Sequence, residues 1–176
     1  MTTAQAMLLL PIGQFCGVSG PPDDPATRYP IRVADRMIDV DAGLFTVWAQ
    51  AHGVPAEETW TSAELTALLT DGLLARVEPD DAIGFAHRHR LEPLVMGLGA
   101  DGDRFVLGLP GTPLVSVSGP MFAVWAAAPA EPDLWSVCLR LAAETSAEPA
   151  TLLPGLLDGL RPLLTAGAAY LDRVSR

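Results

Sequence analysis

Apolar and polar residues change period along this chain in a way that assigns most of its elements. Residues 31–40 and 114–118 alternate with period two, as half-buried strands do. Each stretch is followed by a segment, 42–51 and 120–128, in which Phe45 and Trp48, then Phe122 and Trp125, recur at i, i+3, one face of a helix. Gly53 and Pro129 stop those helices. A further helix opens at Thr61 with Glu64 three residues on, a capping box, and ends at Gly72. Residues 73–77 then read as a strand, Pro79-Asp80-Asp81 as a turn, and the residues beyond as a second strand. Helix, helix, glycine, strand, turn, strand is the order of a winged helix.

The downstream pattern is fuller. Strands over 94–98, 104–109 and 114–118 form a meander through turns at Asp101-Gly102-Asp103 and Pro110-Gly111. Helices follow over 120–128, 134–144 and 150–166, the last carrying Leu153, Leu156, Leu157, Leu160 and Leu164 at helical spacing, with a break or kink expected near Pro162.

Three of these blocks are echoed by three others. Phe45-Thr46-Val47-Trp48-Ala49 returns as Phe122-Ala123-Val124-Trp125-Ala126, displaced by 77 (122 minus 45), and Met37-Ile38-Asp39-Val40 returns at the same offset as Leu114-Val115-Ser116-Val117. Leu68-Leu69-Thr70-Asp71-Gly72 returns as Leu163-Leu164-Thr165-Ala166-Gly167, displaced by 95 (163 minus 68). The extra 18 residues (95 minus 77) would be an insertion in the second copy. The expected fold is therefore α+β, tandem winged-helix-like units at 1–93 and 94–176, each a small antiparallel sheet with two or three helices.

Composition narrows the partners. The mean hydropathy of +0.29 would suit a membrane protein, yet no apolar run approaches the roughly 20 residues that span a bilayer. The N-terminal apolar stretch has no positive charge before it, so a cytoplasmic location is expected. Twenty-one acidic residues against 11 basic ones leave a formal charge of −10, which repels phosphate and disfavours nucleic acid as a partner. Cys16 and Cys138 have no metal-ligand spacing around them and are expected to be buried free thiols.

No catalytic constellation stands out. His87-Arg88-His89-Arg90 would place two imidazoles on one face of a strand, but no third metal ligand accompanies them, and a solvated, positively charged strand or wing is the expected reading. His52 falls at a helix end, where an imidazole meets terminal carbonyls. Asp101-x-Asp103 lacks the remainder of a calcium loop, and Asp23-Asp24 and Asp80-Asp81 are carboxylates in Pro-rich loops. Gly108-Leu109-Pro110-Gly111-Thr112 lacks the Lys and the following helix of a phosphate loop. No cofactor, metal or enzymatic activity is expected. Trp48 and Trp125 are expected in equivalent buried positions, with Trp60 and Trp135 sealing helix packing.

Three strands followed by three helices, with Leu114-Val115-Ser116-Val117-Ser118-Gly119, Phe122-x-Val124-Trp125 and Leu163-Leu164-Thr165-x-Gly167, resemble the winged-helix-like peptide-recognition domain of the pyrroloquinoline-quinone peptide chaperone family, the RiPP recognition elements. The resemblance covers about 94–172 well and 28–77 in part, and it departs from the family in being doubled. It implies that a leader peptide adds as a strand beside the third strand and packs on the third helix. Carried over, the docking residues are Leu114, Val115, Ser116, Val117 and Ser118, facing Leu153, Leu156 and Leu160. The expected function is thus a non-catalytic binding or adaptor protein holding a peptide or partner protein. The alternative expectation is a DNA-binding regulator with tandem winged helices, contacting nucleic acid through Arg76, Arg88 and Arg90 near the first wing.

Overall fold

The computed structural model describes residues 8–21, 24–53 and 60–175; Asp23 and the first seven residues of the chain lie outside them. The chain is α+β, with small antiparallel sheets and several helices. It divides into two compact units, Met1–Asp81 and Ala82–Val174, so the expected boundary at residue 93 falls inside the second unit, at the end of one of its strands.

The first unit runs β1 (Leu8–Pro11), β2 (Gln14–Phe15), β3 (Tyr29–Val33), β4 (Arg36–Val40), α1 (Ala42–Gln50), α2 (Ser62–Asp71) and β5 (Leu74–Val77). The second runs α3 (Ala82–Arg88), β6 (His89–Pro93), β7 (Met96–Asp101), β8 (Arg104–Leu109), β9 (Thr112–Ser118), α4 (Gly119–Ala127), a 3-10 turn (Ala128–Ala130), α5 (Leu134–Thr145), α6 (Pro149–Thr165) and β10 (Ala169–Arg173). Each unit contains a meander, β2-β3-β4 or β7-β8-β9, and a separate two-stranded ribbon that joins its first strand to its last, β1 to β5 and β6 to β10.

The repeat is visible in this geometry at single-residue resolution. Asp41 caps α1 by accepting from the Leu44 N–H, and Ser118, 77 residues later, caps α4 by accepting from the Met121 N–H. Tyr29, opposite Val40 in the sheet, stacks on Phe45 at 4.5 Å between ring centroids; Phe105, opposite Val117, stacks on Phe122 at 4.3 Å. The helix before the last strand ends identically in both units. Gly72 and Gly167 adopt φ of 75° and 64°, and the Leu73 and Ala168 N–H groups reach back to the Leu68 and Leu163 carbonyls at 2.8 and 2.9 Å, a Schellman ending. The ribbons then share one register: Leu8↔Val77 through Pro11↔Leu74 in the first, Arg90↔Asp172 through Pro93↔Ala169 in the second. Even the bond that locks the ribbon to the helix end repeats, from Ile12 N–H to the Leu73 carbonyl at 2.8 Å and from Leu94 N–H to the Ala168 carbonyl at 2.9 Å.

Several expectations are corrected. Residues 31–40 form a hairpin, not one strand: the chain reverses at Ala34-Asp35, with Ala34 at φ 53°, a turn whose residues lack the usual Asn-Gly signature. No wing follows β5; β5 pairs back to β1, and the expected second strand is α3. α6 runs unbroken through Pro154 and Pro162. Cys16 is exposed, whereas Cys138 is buried as expected. Trp48 is buried and donates its indole N–H to the Ile12 carbonyl at 3.1 Å, but Trp125 is only half-buried and its Nε1 has no partner among the described residues. Trp60 is buried and seals α1 to α2 by donating to Gln50 Oε1 at 3.0 Å. The capping box at Thr61 and Glu64 forms as expected, and His52 bonds the Trp48 carbonyl near the end of α1 at 3.1 Å.

The α3 helix explains the misread histidines. His89, the first residue of β6, is 2% exposed, stacks on Phe85 at 4.1 Å and bonds the Phe85 carbonyl through Nδ1 at 2.8 Å. A carbonyl only accepts, so the proton sits on Nδ1 of a neutral ring. Burial pushes the His89 pKa down to about 4 against the opposing pull of the Phe85 carbonyl; Arg173 and Arg88 lower it further and Asp172 opposes them.

Two predictions follow from these contacts. Replacing Gly72 or Gly167 by Ala places a Cβ in the left-handed region and lowers stability by about 1 kcal/mol in denaturant titration, whereas Gly155→Ala, inside α6, raises it by up to about 1 kcal/mol. The second concerns acid. The unfolded chain protonates His89 near pH 6.5 and the folded chain near 4, so its stabilising contribution is whole above 6.5 and lost as pH falls through 4, by about 3 kcal/mol. His52 is shifted in the same direction, so the His89 effect is read as the difference between wild type and His89→Phe, whose stability falls less between pH 6.5 and 4.

Candidate functional site

Strand β9 lies at the edge of its sheet, hydrogen-bonded to β8 on one side and to no strand on the other among the described residues. Its position is fixed at both ends. Pro110-Gly111 turns the chain out of β8, and Ser118 closes the strand by becoming the N-cap of α4. Val115 and Val117 point inward opposite Leu107 and Phe105, while Ser116 and Ser118 occupy the other face. On that outer face Arg104 ties β8 to β9, its Nε donating to Ser116 Oγ at 3.0 Å and its terminal nitrogen to the Ser116 carbonyl.

The outer edge of β9 differs from that of its counterpart in the first unit. β4 is also an edge strand, but it carries Arg36 and Asp39, both exposed. Charges on an edge strand are a common guard against unwanted pairing. β9, Thr112-Pro113-Leu114-Val115-Ser116-Val117-Ser118, carries none; its register shift opposite Leu107 and Gly108 leaves Leu114 as the extra residue, and the regular ladder runs from Val115 to Ser118. The opposite edge, β7, also has a register shift, between Gly97 and Gly99, and it ends on a charged residue, Asp101. Around β9 the sheet exposes large apolar side chains: Leu114 is 41% exposed and Leu109 50%.

Leu153, Leu156 and Leu160 are placed elsewhere than expected. They are 2%, 5% and 0% exposed, in the core of the second unit, so they support the sheet and helices from within and offer no open face to a strand. What α6 contributes to the surface is a cavity shared with α4 and α5, to which Leu156 is one wall. Among the residues assigned to nucleic acid, Arg76 lies exposed on β5 in the first unit, and Arg88 ends α3 in the second. Arg90 is on β6 and pairs with Glu92. With no wing formed at 79–90, these residues do not sit on the element expected to carry them.

Other polar clusters have local roles. Asp133 caps α5 through the Ser136 N–H and meets His87 Nδ1 at 3.3 Å; these bonds hold its carboxyl below the usual range although partial burial pulls the other way. Trp135 lies half-buried beside His87, with ring centroids 5.9 Å apart. Among the described residues no group of three or more His, Cys, Asp or Glu side chains is placed to hold a metal, and no helix is long and apolar enough to cross a membrane.

Reading the sequence missed the ribbons and α3. A signal for the ribbons existed: Leu9-x-Pro11 and Leu91-x-Pro93 repeat at an offset of 82 (91 minus 9), with Leu9 and Leu91 both buried. No protein-family model, no curated protein and no solved structure matches this chain.

Proposed function

We propose that this chain is a non-catalytic binding protein that captures an extended peptide, or an extended segment of a partner protein, as an added strand along β9. The observation that carries this reading is the contrast between two equivalent edges: β4 is charged and β9 is not. Strand addition takes its affinity from main-chain hydrogen bonds and its selectivity from alternate side chains. Here the unpaired N–H and C=O groups of β9 supply the first, and Leu114 with the neighbouring apolar surface supplies the second. The resemblance to peptide-recognition domains supports the same strand, with one revision: the α6 leucines act as the strand's internal support and not as the peptide's contact. A net charge of −10 favours basic or neutral segments over acidic ones.

Tiled peptides of about 20 residues from the proteins encoded beside this one are the direct test. At least one should bind the full chain more tightly than about 100 μM, equivalent to roughly −5.5 kcal/mol. N–H groups alternate between the two edges along a strand, so of Val115 and Ser116 one donates to β8 and the other outward. Val115→Pro and Ser116→Pro should therefore separate: the variant that removes the outward donor keeps the far-ultraviolet circular dichroism of the wild type and loses at least about tenfold in affinity. Failure of all peptides to bind, or wild-type affinity in both variants while folded, would refute strand addition at β9.

A further inference from the structure

The second unit contains a cavity of about 580 Å³ between α4, α5 and α6, walled mainly by Met121 and Val124, Cys138 and Leu141, and Leu152 and Leu156. Two glycines on α6 shape it in different ways. Gly159 lets α4 in: a Cβ there would stand 2.5 Å from Met121 Sδ. Gly155, one turn earlier, admits no neighbour: a Cβ there would meet nothing within 4 Å. Glycine inside a helix is about 1 kcal/mol worse than alanine, so at Gly155 the helix is weakened with no packing in return, and what the missing side chain leaves is space in the cavity.

The cavity's size falls within the roughly 300–1,000 Å³ of small-molecule sites. Its walls are uncharged: Cys138 is fully buried, and burial pushes its thiol up to about 11, so it stays protonated at neutral pH. Charge enters only at the rim, where Glu144 lies beside Thr145 and Thr151. Arg140 reaches both Glu144 at 3.4 Å and Glu131 at 3.5 Å, so the one guanidinium beside Glu144 is shared with a second carboxylate and balances it only in part.

We propose that this cavity is a binding site for a small cationic amphiphile, its single apolar chain lying against Met121, Val124, Leu141 and Leu156 over the space at Gly155, and its positively charged head at Glu144. The site meets β9 only at its last residue, Ser118, and its ligand is recognised by burial of an alkyl chain together with one carboxylate. An anionic head would meet that carboxylate and the charge of the whole chain.

Isothermal titration with decyltrimethylammonium and with decanoate, both below their micellar concentrations, tests the assignment on the full chain. At low salt the cation should bind saturably, at least about tenfold more tightly than decanoate, and Glu144→Gln should narrow that gap. Gly155→Leu, whose Cβ meets nothing within 4 Å, places a side chain in the cavity and should weaken the cation at least about tenfold while leaving near-ultraviolet circular dichroism unchanged; Ala123→Leu fills it from the α4 side should that variant not fold. Wild-type affinity in a folded cavity-filling variant would show that the site lies elsewhere. Equal or tighter binding of decanoate would overturn the assigned head group, and no saturable binding of either probe would overturn the site.

Discussion

Each unit is closed by one constraint: a helix must end so abruptly that the next residues return as a strand beside the unit's first strand. Gly72 and Gly167 meet it by taking a left-handed conformation that an L side chain resists. The Schellman bonds then satisfy the last helical carbonyls, and the apolar residues that follow, Leu73 and Ala168, are fully buried. Only this exit angle aligns β5 with β1 and β10 with β6 in their common register. The ribbon in turn presents the Ile12 carbonyl to which Trp48 bonds, so the aromatic helix is also held by the ribbon in the first unit.

Much of this was legible in the sequence, for reasons that differ by element. The aromatic helices were legible because Phe45 and Trp48, with Phe122 and Trp125, mark one helical face and repeat at a single offset. The capping box and the C-terminal glycine of α2 are local chemistry, decided within a few residues. The β7-β8-β9 meander was legible because its turns carry Gly, Pro and Asp. The β3-β4 hairpin was hidden because Ala34-Asp35 turns without Gly or Pro and the alternation on its two sides runs together. The ribbons were hidden for a different reason: β1 and β5 are separated by most of their unit, and pairing at that range leaves no local signature. The α3 helix was mistaken for a wing because its decisive contact, His89 on Phe85 at i, i+4, crosses from a helix to a strand.

The candidate site was legible in part. The strand 114–118 was assigned from alternation and its flanking turn and glycine, within the observed Thr112–Ser118, and its edge position agrees with what strand addition requires. The three leucines of α6 were not assigned correctly, because helical spacing identifies an apolar face without saying whether that face meets a ligand or the core. At 2%, 5% and 0% exposure they meet the core.

The two units share caps, stacks, glycines and register, so the places where they differ carry the information about specialisation. Between the aromatic helix and the closing strand the second unit has α5, and its α6 spans 17 residues against 10 in α2. Those additions create a three-helix arrangement whose cavity has walls from α5 and α6, so the residues that lengthen the unit are also the ones that enclose space. The edge strand diverges too: Arg36 and Asp39 of β4 give way to Pro113 and Ser116 of β9, at the same 77-residue offset. Loss of edge charge weakens protection against pairing, and an unfilled apolar cavity forfeits dispersion contacts along its walls. Both changes work against the stability of an isolated unit, and both occur in the same copy. On the proposed reading the second copy is therefore the one adapted to binding, because each of its departures from the common framework exposes a surface that a ligand or partner would cover.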